Sequence, residues 1–239
     1  MRLPKEESIV YPASHCVHCK HELKLMDLIP VLSFVFLKGR CRYCREKISI
    51  RYVLVELLTG IVAGFTFYWY GFSIDFFRIF GLEVILIAVT FIDLEYQIIP
   101  DELVLTGIVI GVILIIYNLF YGSIYKTWYS PLLGGVAVSS IMFILSKVGQ
   151  KIYKTEDVIG LGDVKLFIAI GIILGFEKVM IAFLLAVYLG GTYGIGAILI
   201  NRKNSKKMVP FAPFISFGSV VSAYFGYDLV YWYIDKFIR

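Results

Sequence analysis

Charge is scarce in this sequence. Lys, Arg, Asp and Glu make up 17% of its 239 residues and 59% are hydrophobic, whereas soluble domains carry about 25% charged residues. Water-soluble fold classes are thereby excluded. Cysteine is missing from everything after Cys44, so the apolar body has neither a disulfide nor a thiolate metal site. No apolar stretch precedes the cysteine-bearing segment in MRLPKEES, so no cleavable signal is expected and targeting falls to the first apolar span. No internal repeat or low-complexity tract stands out. The net charge of +5 is mild; where the positive residues lie matters more than their sum, and no nucleic-acid partner is expected.

What is present is a basic, cysteine-bearing start followed by apolar runs. Residues 1–52 hold ten of the 23 Lys and Arg, and residues 53–239 form the membrane part. Runs at about 53–70, 76–93, 103–121, 131–147, 163–176, 179–200 and 211–234 predict seven transmembrane helices, each near the ~20 residues a crossing needs. The fifth run is short, and a re-entrant element is its alternative. Lys and Arg favour cytoplasmic loops. With the N-terminal segment inside and seven crossings, 18 basic residues fall inside, among them Lys147, Lys151, Lys154, Lys165, Arg202, Lys203, Lys206 and Lys207. Five fall outside: Arg78, Lys126, Lys178, Lys236 and Arg239. Without the fifth crossing the bias shrinks to 14 against nine, so a true crossing is expected, with its helix beginning near Leu161. The expected fold is an all-α polytopic membrane protein of about seven transmembrane helices with a small N-terminal cytoplasmic module. Gly107/Gly111, Gly171/Gly175 and Gly190/Gly191/Gly194/Gly196 predict close helix packing.

Cys16-Val-His-Cys19 and Cys41-Arg-Tyr-Cys44 are two C-x-x-C pairs separated by 21 residues. Each pair can hold one side of a tetrahedral ion, as in a zinc ribbon. Two disulfides are the alternative, which a reducing cytoplasmic location disfavours. His15, His18 and His21 could replace a ligand, but four cysteines complete the shell. A closed shell leaves no open position, so the zinc is expected to be structural and to supply folding energy to a module with little apolar core.

Two aspartates sit where apolar runs meet water: Asp93 in FIDLEYQIIPD and Asp163 in GLGDVKL. Under the seven-span topology Asp93 ends the second span and Asp163 opens the fifth, both at the cytoplasmic face. A carboxylate that close to lipid reads as functional. Two on one face suggest a proton-sharing pair, the chemistry of aspartic proteolysis. Gly160 and Gly162 remove side chains just before Asp163, which allows close approach of a facing helix or an extended substrate. Lys165 either acts electrostatically on a neighbouring acid or snorkels to the surface. Asp101 reads as a helix N-cap, and Glu95 and Glu102 as water-facing. Glu56 is expected to reach interfacial water or Arg51, and Glu83 to make a polar contact inside the bundle.

These stretches carry a resemblance. SHCVHCKHELKLMDLIPVLSFVFLKGRCRYCREKISIRYVLVELLTG (14–60), FIDLEYQIIPDELVL (91–105) and GLGDVKL (160–166) resemble the bacterial type IV prepilin leader peptidases, membrane aspartic proteases of the G-x-G-D type. The resemblance implies that Asp93 and Asp163 are catalytic and that the substrate is the leader of a type IV prepilin or pseudopilin. Cleavage is expected after a glycine at the cytoplasmic edge of the substrate's hydrophobic helix, in the bacterial inner membrane. It also implies N-methylation of the new terminus with S-adenosylmethionine, although no segment here is independently recognisable as a site for that cofactor. Family members usually begin with a further transmembrane helix ending like GSFLNVVIYRLP; this sequence starts at the equivalent of its last three residues, so seven spans are expected where eight are usual.

Two other classes compete. A non-enzymatic zinc-ribbon scaffold would explain the cysteines and spans but not a G-x-G-D string facing a second aspartate. A proton-coupled transporter would place its acids near the midplane rather than at one edge.

Overall fold

The computed structural model describes residues 11, 13–122, 124–153, 160–200 and 209–237. Of the basic residues used to orient the chain, Arg2, Lys5, Lys154, Arg202, Lys203, Lys206, Lys207 and Arg239 lie outside these. The chain divides into two compact units, Met1–Gly71 and Phe72–Arg239. Among the described residues the architecture is helical, with two isolated antiparallel bridges in place of strands.

The first unit holds the four cysteines, a 3₁₀ turn at Leu25–Asp27, the short helix α1 (Leu32–Phe36) and the long helix α2 (Ile50–Tyr70). The bridges His15–Glu22 and Arg40–Lys47 close two matching knuckles. In each, the residue after the second cysteine turns into the left-handed region, Lys20 at φ 58° and Arg45 at φ 62°. The Cys16 and Cys41 amides donate across the knuckle to the carbonyls of His21 and Glu46, at 2.9 and 2.8 Å. The pairs found in the sequence therefore repeat one local design. Ser49 caps α2, its hydroxyl accepting from the Arg51 amide.

The second unit is a bundle of α3 (Ile74–Tyr96), α4 (Asp101–Tyr121), α5 (Ser130–Tyr153), α6 (Leu161–Leu174), α7 (Phe176–Ile200) and α8 (Ala212–Phe237). With α2, the helices follow the seven apolar runs in order. Four of them, α2, α4, α5 and α7, are long and apolar enough to cross a membrane. Helix α6 has only 14 residues, while α3 carries Asp75, Arg78, Glu83, Asp93 and Glu95. The fifth run is helical from Leu161, where its start was expected.

The short helix is the centre of the bundle. Helix α6 meets α3, α4, α5, α7 and α8. It is apolar all round, which is the pattern of an enclosed helix, and Leu166, Phe167, Ile170 and Ile173 are fully buried. Glycine permits the closest approach: a Cβ on Gly171 would lie 2.2 Å from the Gly134 carbonyl oxygen of α5. Gly107 and Gly111 likewise face Ala169 and Ile172 of α6, and Gly190 faces Phe211. Gly191, Gly194 and Gly196 depart from the packing expectation, since a Cβ on any of them would meet nothing within 4 Å among the described residues.

The far end of α6 is closed by polar groups. The Tyr125 hydroxyl lies 2.9 and 3.1 Å from the Ile172 and Ile173 carbonyl oxygens, and the Ser130 hydroxyl accepts the Phe176 amide. Asn118 holds that loop by accepting the Ile124 and Tyr125 amides. Terminal carbonyls that a helix leaves orphaned are thus satisfied inside the protein.

Candidate active site at one end of the bundle

Asp93 lies in the last turn of α3, three residues before its end at Tyr96. Gln97 then takes the left-handed conformation at φ 55°, and Pro100 starts α4 from an extended φ of −64°. The connection is therefore short and α3 and α4 run antiparallel. Asp163 lies in the first turn of α6, its amide donating to the Gly160 carbonyl at 3.1 Å. Helices α3 and α6 touch, and the first turn of α6 rests on the loop that follows α3. Two acids 70 positions apart in sequence thus lie at the same end of the bundle.

Asp93 is buried, 7% exposed, and Asp163 is half-buried. The amide of Ala212, the first residue of α8, donates to Asp93 Oδ2 at 3.0 Å. A helix N-terminus is favourable for a carboxylate, so α8 both orients Asp93 and offsets its burial. This contact was invisible in the sequence, because a backbone N–H carries no residue signature. A second link between the same helices stands one turn deeper, where the Thr90 hydroxyl donates to Ser216 Oγ at 2.8 Å and Ser216 to the Leu86 carbonyl at 3.3 Å. Among the described residues, no hydrogen-bond donor reaches the Asp163 carboxylate.

The glycines before Asp163 have distinct surroundings. A Cβ on Gly162 would lie 3.0 Å from Ile99 Cβ, so the first turn of α6 rests against the loop between α3 and α4. A Cβ on Gly160 would lie 3.3 Å from Asp163 Oδ2. Glycine at 160 leaves room beside the carboxylate, and glycine at 162 lets α6 approach the α3–α4 loop.

Asp101 differs from its sequence reading, whereas Lys165 is exposed and meets a neighbouring acid. The Lys165 ammonium donates to both Asp101 carboxylate oxygens, at 2.7 and 2.9 Å, and so bridges α6 to α4. Asp101 is the first helical residue of α4, with Pro100 at the cap position and no side-chain cap bond. Glu95 and Glu102 are exposed, as expected. Glu83, 2% exposed, receives the Tyr224 hydroxyl at 2.8 Å, a polar contact inside the bundle.

The sulfurs of Cys16, Cys19, Cys41 and Cys44 lie within 4.8 Å of one another, with Cys16 Sγ and Cys44 Sγ at 3.8 Å. Four thiolates at ~2.3 Å from a tetrahedral zinc stand about 3.8 Å apart, so the donor set fits that ion. The cysteines are free thiols, not disulfides. His15 Nδ1–H donates to the Ala13 carbonyl and the His21 ring packs on Tyr43, so neither ring is needed as a ligand. Beside the knuckles, Asp27 accepts from Arg42 at 2.6 Å. Burial works against the Asp27 charge, yet the Arg42 guanidinium and the Lys24 amide hold its carboxyl below the usual carboxylate range.

Residues 80–195 match the model of the type IV leader peptidase family, and residues 1–70 match the bacterial peptidase A24 N-terminal domain. The chain belongs to the type IV leader peptidase family. It is an enzyme of peptidase lineage with a four-cysteine N-terminal region. Among its relatives is the prepilin leader peptidase/N-methyltransferase of Bacillus subtilis (strain 168), 32% identical over 98% of this chain and 90% of that protein. The proteins of that name from Aeromonas hydrophila and Legionella pneumophila are each 31% identical. They cover 97% and 95% of this chain, which spans 78% and 77% of their lengths. No solved structure matches the chain.

Proposed function

We propose that this peptidase removes the leader of type IV prepilins or pseudopilins, with Asp93 and Asp163 as its catalytic pair. The observation that carries the reading is their placement at one end of the bundle, Asp93 held by the α8 amide and Asp163 beside the small residues Gly160 and Gly162. Two adjacent carboxylates share one proton. The ionised member takes a proton from water as the water oxygen attacks the scissile carbonyl carbon. The protonated member donates a hydrogen bond to the carbonyl oxygen. Collapse of the tetrahedral adduct breaks the C–N bond, and a carboxyl proton passes to the leaving amine. The exposed surroundings of Gly160 give an extended peptide access to the pair.

The same proposal includes seven crossings, with the N-terminal module and the aspartates on the cytoplasmic side of the inner membrane. The Lys and Arg distribution, 18 inside against five outside, supports this orientation. Zinc in the Cys16, Cys19, Cys41 and Cys44 shell would hold the two knuckles together and takes no part in cleavage.

Methylation of the new N-terminus with S-adenosylmethionine, which supplies the methyl group, is the second activity proposed, and the names of the relatives support it. The groove of about 400 Å³ between α4 and α6 does not fit that cofactor. Its walls are Val104, Leu105, Ile108 and Ile168, and the Asp101–Lys165 pair at its mouth is already closed.

Asp93→Asn and Asp163→Asn, made singly, are each expected to abolish prepilin processing in membranes while leaving the protein folded. Cleavage at the wild-type rate by either variant would overturn the dyad. Transfer of a labelled methyl group to a cleaved pilin is the separate test of the second activity.

A further inference from the structure

The first unit exposes an apolar surface that the four-cysteine shell does not use. Within residues 25–36, Leu25, Met26, Leu32, Val35 and Phe36 are each more than half exposed, Leu25 by 86% and Phe36 by 80%. A run of this size facing water marks an interaction surface.

One hydrogen bond ties the run to the first turns of an apolar helix. The Val31 amide, in the middle of the run, donates to Glu56 Oε2 at 2.9 Å. Glu56 lies six residues into α2, roughly 9 Å along its axis, and α2 is one of the helices long and apolar enough to cross a bilayer. In a 21-residue crossing helix a point that far along lies inside the leaflet where α2 begins, within side-chain reach of the headgroup–acyl boundary. A carboxylate there needs a donor, and the turn supplies it.

Val31 itself has φ 59° and ψ −47°, closed by the Leu32 amide on the Pro30 carbonyl at 2.5 Å. This is a γ-turn of the rare hand, and a β-branched residue at positive φ is an outlier. Such backbone persists only where its surroundings over-determine it; the bond to Glu56 does so. Lys24, Lys38 and Arg40 flank the run and are exposed, the pattern that suits anionic headgroups.

We propose that residues 25–36 form an interfacial anchor. Their apolar side chains enter the headgroup–acyl boundary of the leaflet where α2 begins, and Glu56 clasps the turn that aims them there. The four-cysteine module is thereby kept at the bilayer surface. The proposal concerns a surface outside the aspartate pair and stands whether or not that pair cleaves prepilins.

The test places the photocrosslinker p-benzoylphenylalanine at Phe36, and separately at Met26, in the full-length protein. The protein is reconstituted in vesicles of phosphatidylethanolamine and phosphatidylglycerol, with zinc content checked in each sample. Adducts of phospholipid mass are expected at both positions. Their yield is expected to fall at least threefold in Glu56→Leu, and also when phosphatidylcholine replaces phosphatidylglycerol at low salt. Adducts to another peptide of the same chain or to a second copy, or recovery of the crosslinker unreacted at both positions, would overturn the anchor. So would a lipid yield that ignores both the clasp and the headgroup charge. If a crosslinker at Phe36 costs the module its zinc, the Met26 position and the lipid exchange decide the matter.

Discussion

The bond from α8 to Asp93 sets up the sharpest expectation for the proposed chemistry. Incorporating lactic acid at position 212 replaces the Ala212 N–H with an ester oxygen and leaves every side chain in place. The lost contact is a 3.0 Å hydrogen bond to a carboxylate that is 7% exposed. A hydrogen bond to a charged group is worth about 1.5–3 kcal/mol, and water cannot easily replace the donor at a buried site. At ~1.4 kcal/mol per decade of rate, the ester is expected to slow cleavage roughly 10- to 150-fold. Single-turnover cleavage of a prepilin in proteoliposomes measures this, at saturating substrate so that binding does not enter. The loss should fall on kcat, because Ala212 touches the reacting carboxylate and no other part of the proposed peptide path. Ala212→Gly keeps the N–H and is expected to cleave within about threefold of wild type, its cost that of helix propensity and one lost buried methyl. A kcat for the ester within twofold of wild type would refute the assignment of α8 as the element that positions Asp93.

The packing of α6 makes further outcomes measurable. Gly171→Ala puts a methyl 2.2 Å from the Gly134 carbonyl oxygen; overpacking of this kind costs about 1–3 kcal/mol or more, seen as a lowered melting temperature in detergent and reduced cleavage together. Tyr125→Phe removes the hydroxyl shared by the Ile172 and Ile173 carbonyls and is expected to cost about 1–3 kcal/mol of stability, with Asp93 and Asp163 at the other end keeping near-normal chemistry. Cys16→Ser with Cys19→Ser is expected to abolish bound zinc, one ion per chain in the wild type by elemental analysis; unchanged zinc content would reject the four-sulfur shell.

What the sequence made legible depended on which kind of atom carries the signal. The cysteine pairs could be read because thiolate spacing is itself the geometry: each C-x-x-C builds one knuckle, and the knuckles bring four sulfurs together. Asp93 and Asp163 could be read because carboxylates are rare in apolar runs. Their supporting contacts could not, since the Ala212 amide stands 119 positions from Asp93 and the Tyr224 hydroxyl 141 from Glu83. Asp101 was misread as a cap because its actual partner, Lys165, lies 64 positions away. Glycine spacing identified small helix faces but not which of them has a neighbour, hence the success at Gly107, Gly111 and Gly171 and the failure at Gly191, Gly194 and Gly196.

The same distinction explains why hydropathy finds only four of the helices while charge counting calls for seven crossings. Helix α3 is penalised for Arg78, Glu83 and Asp93, yet all three are buried against protein rather than lipid, where the transfer cost to hydrocarbon does not apply. Helix α6 is penalised for length: 14 residues reach about 21 Å, short of a ~30 Å hydrocarbon core. Inside a ring of five helices it has no need to match that thickness, because backbone at membrane depth is tolerated where protein surrounds it. Its C-terminal carbonyls are capped at one end of the bundle by Tyr125. Its first turn is level with the α3–α4 connection, where Gly162 rests on Ile99 and Lys165 reaches Asp101. Asp163 thus stands half-buried where the ends of α3, α4 and α6 gather, at the same end as the buried Asp93. Under the proposed chemistry a peptide bond must reach this bundle end to be cut, which suits a substrate whose cleavage point adjoins a membrane helix better than it suits a bond free in water.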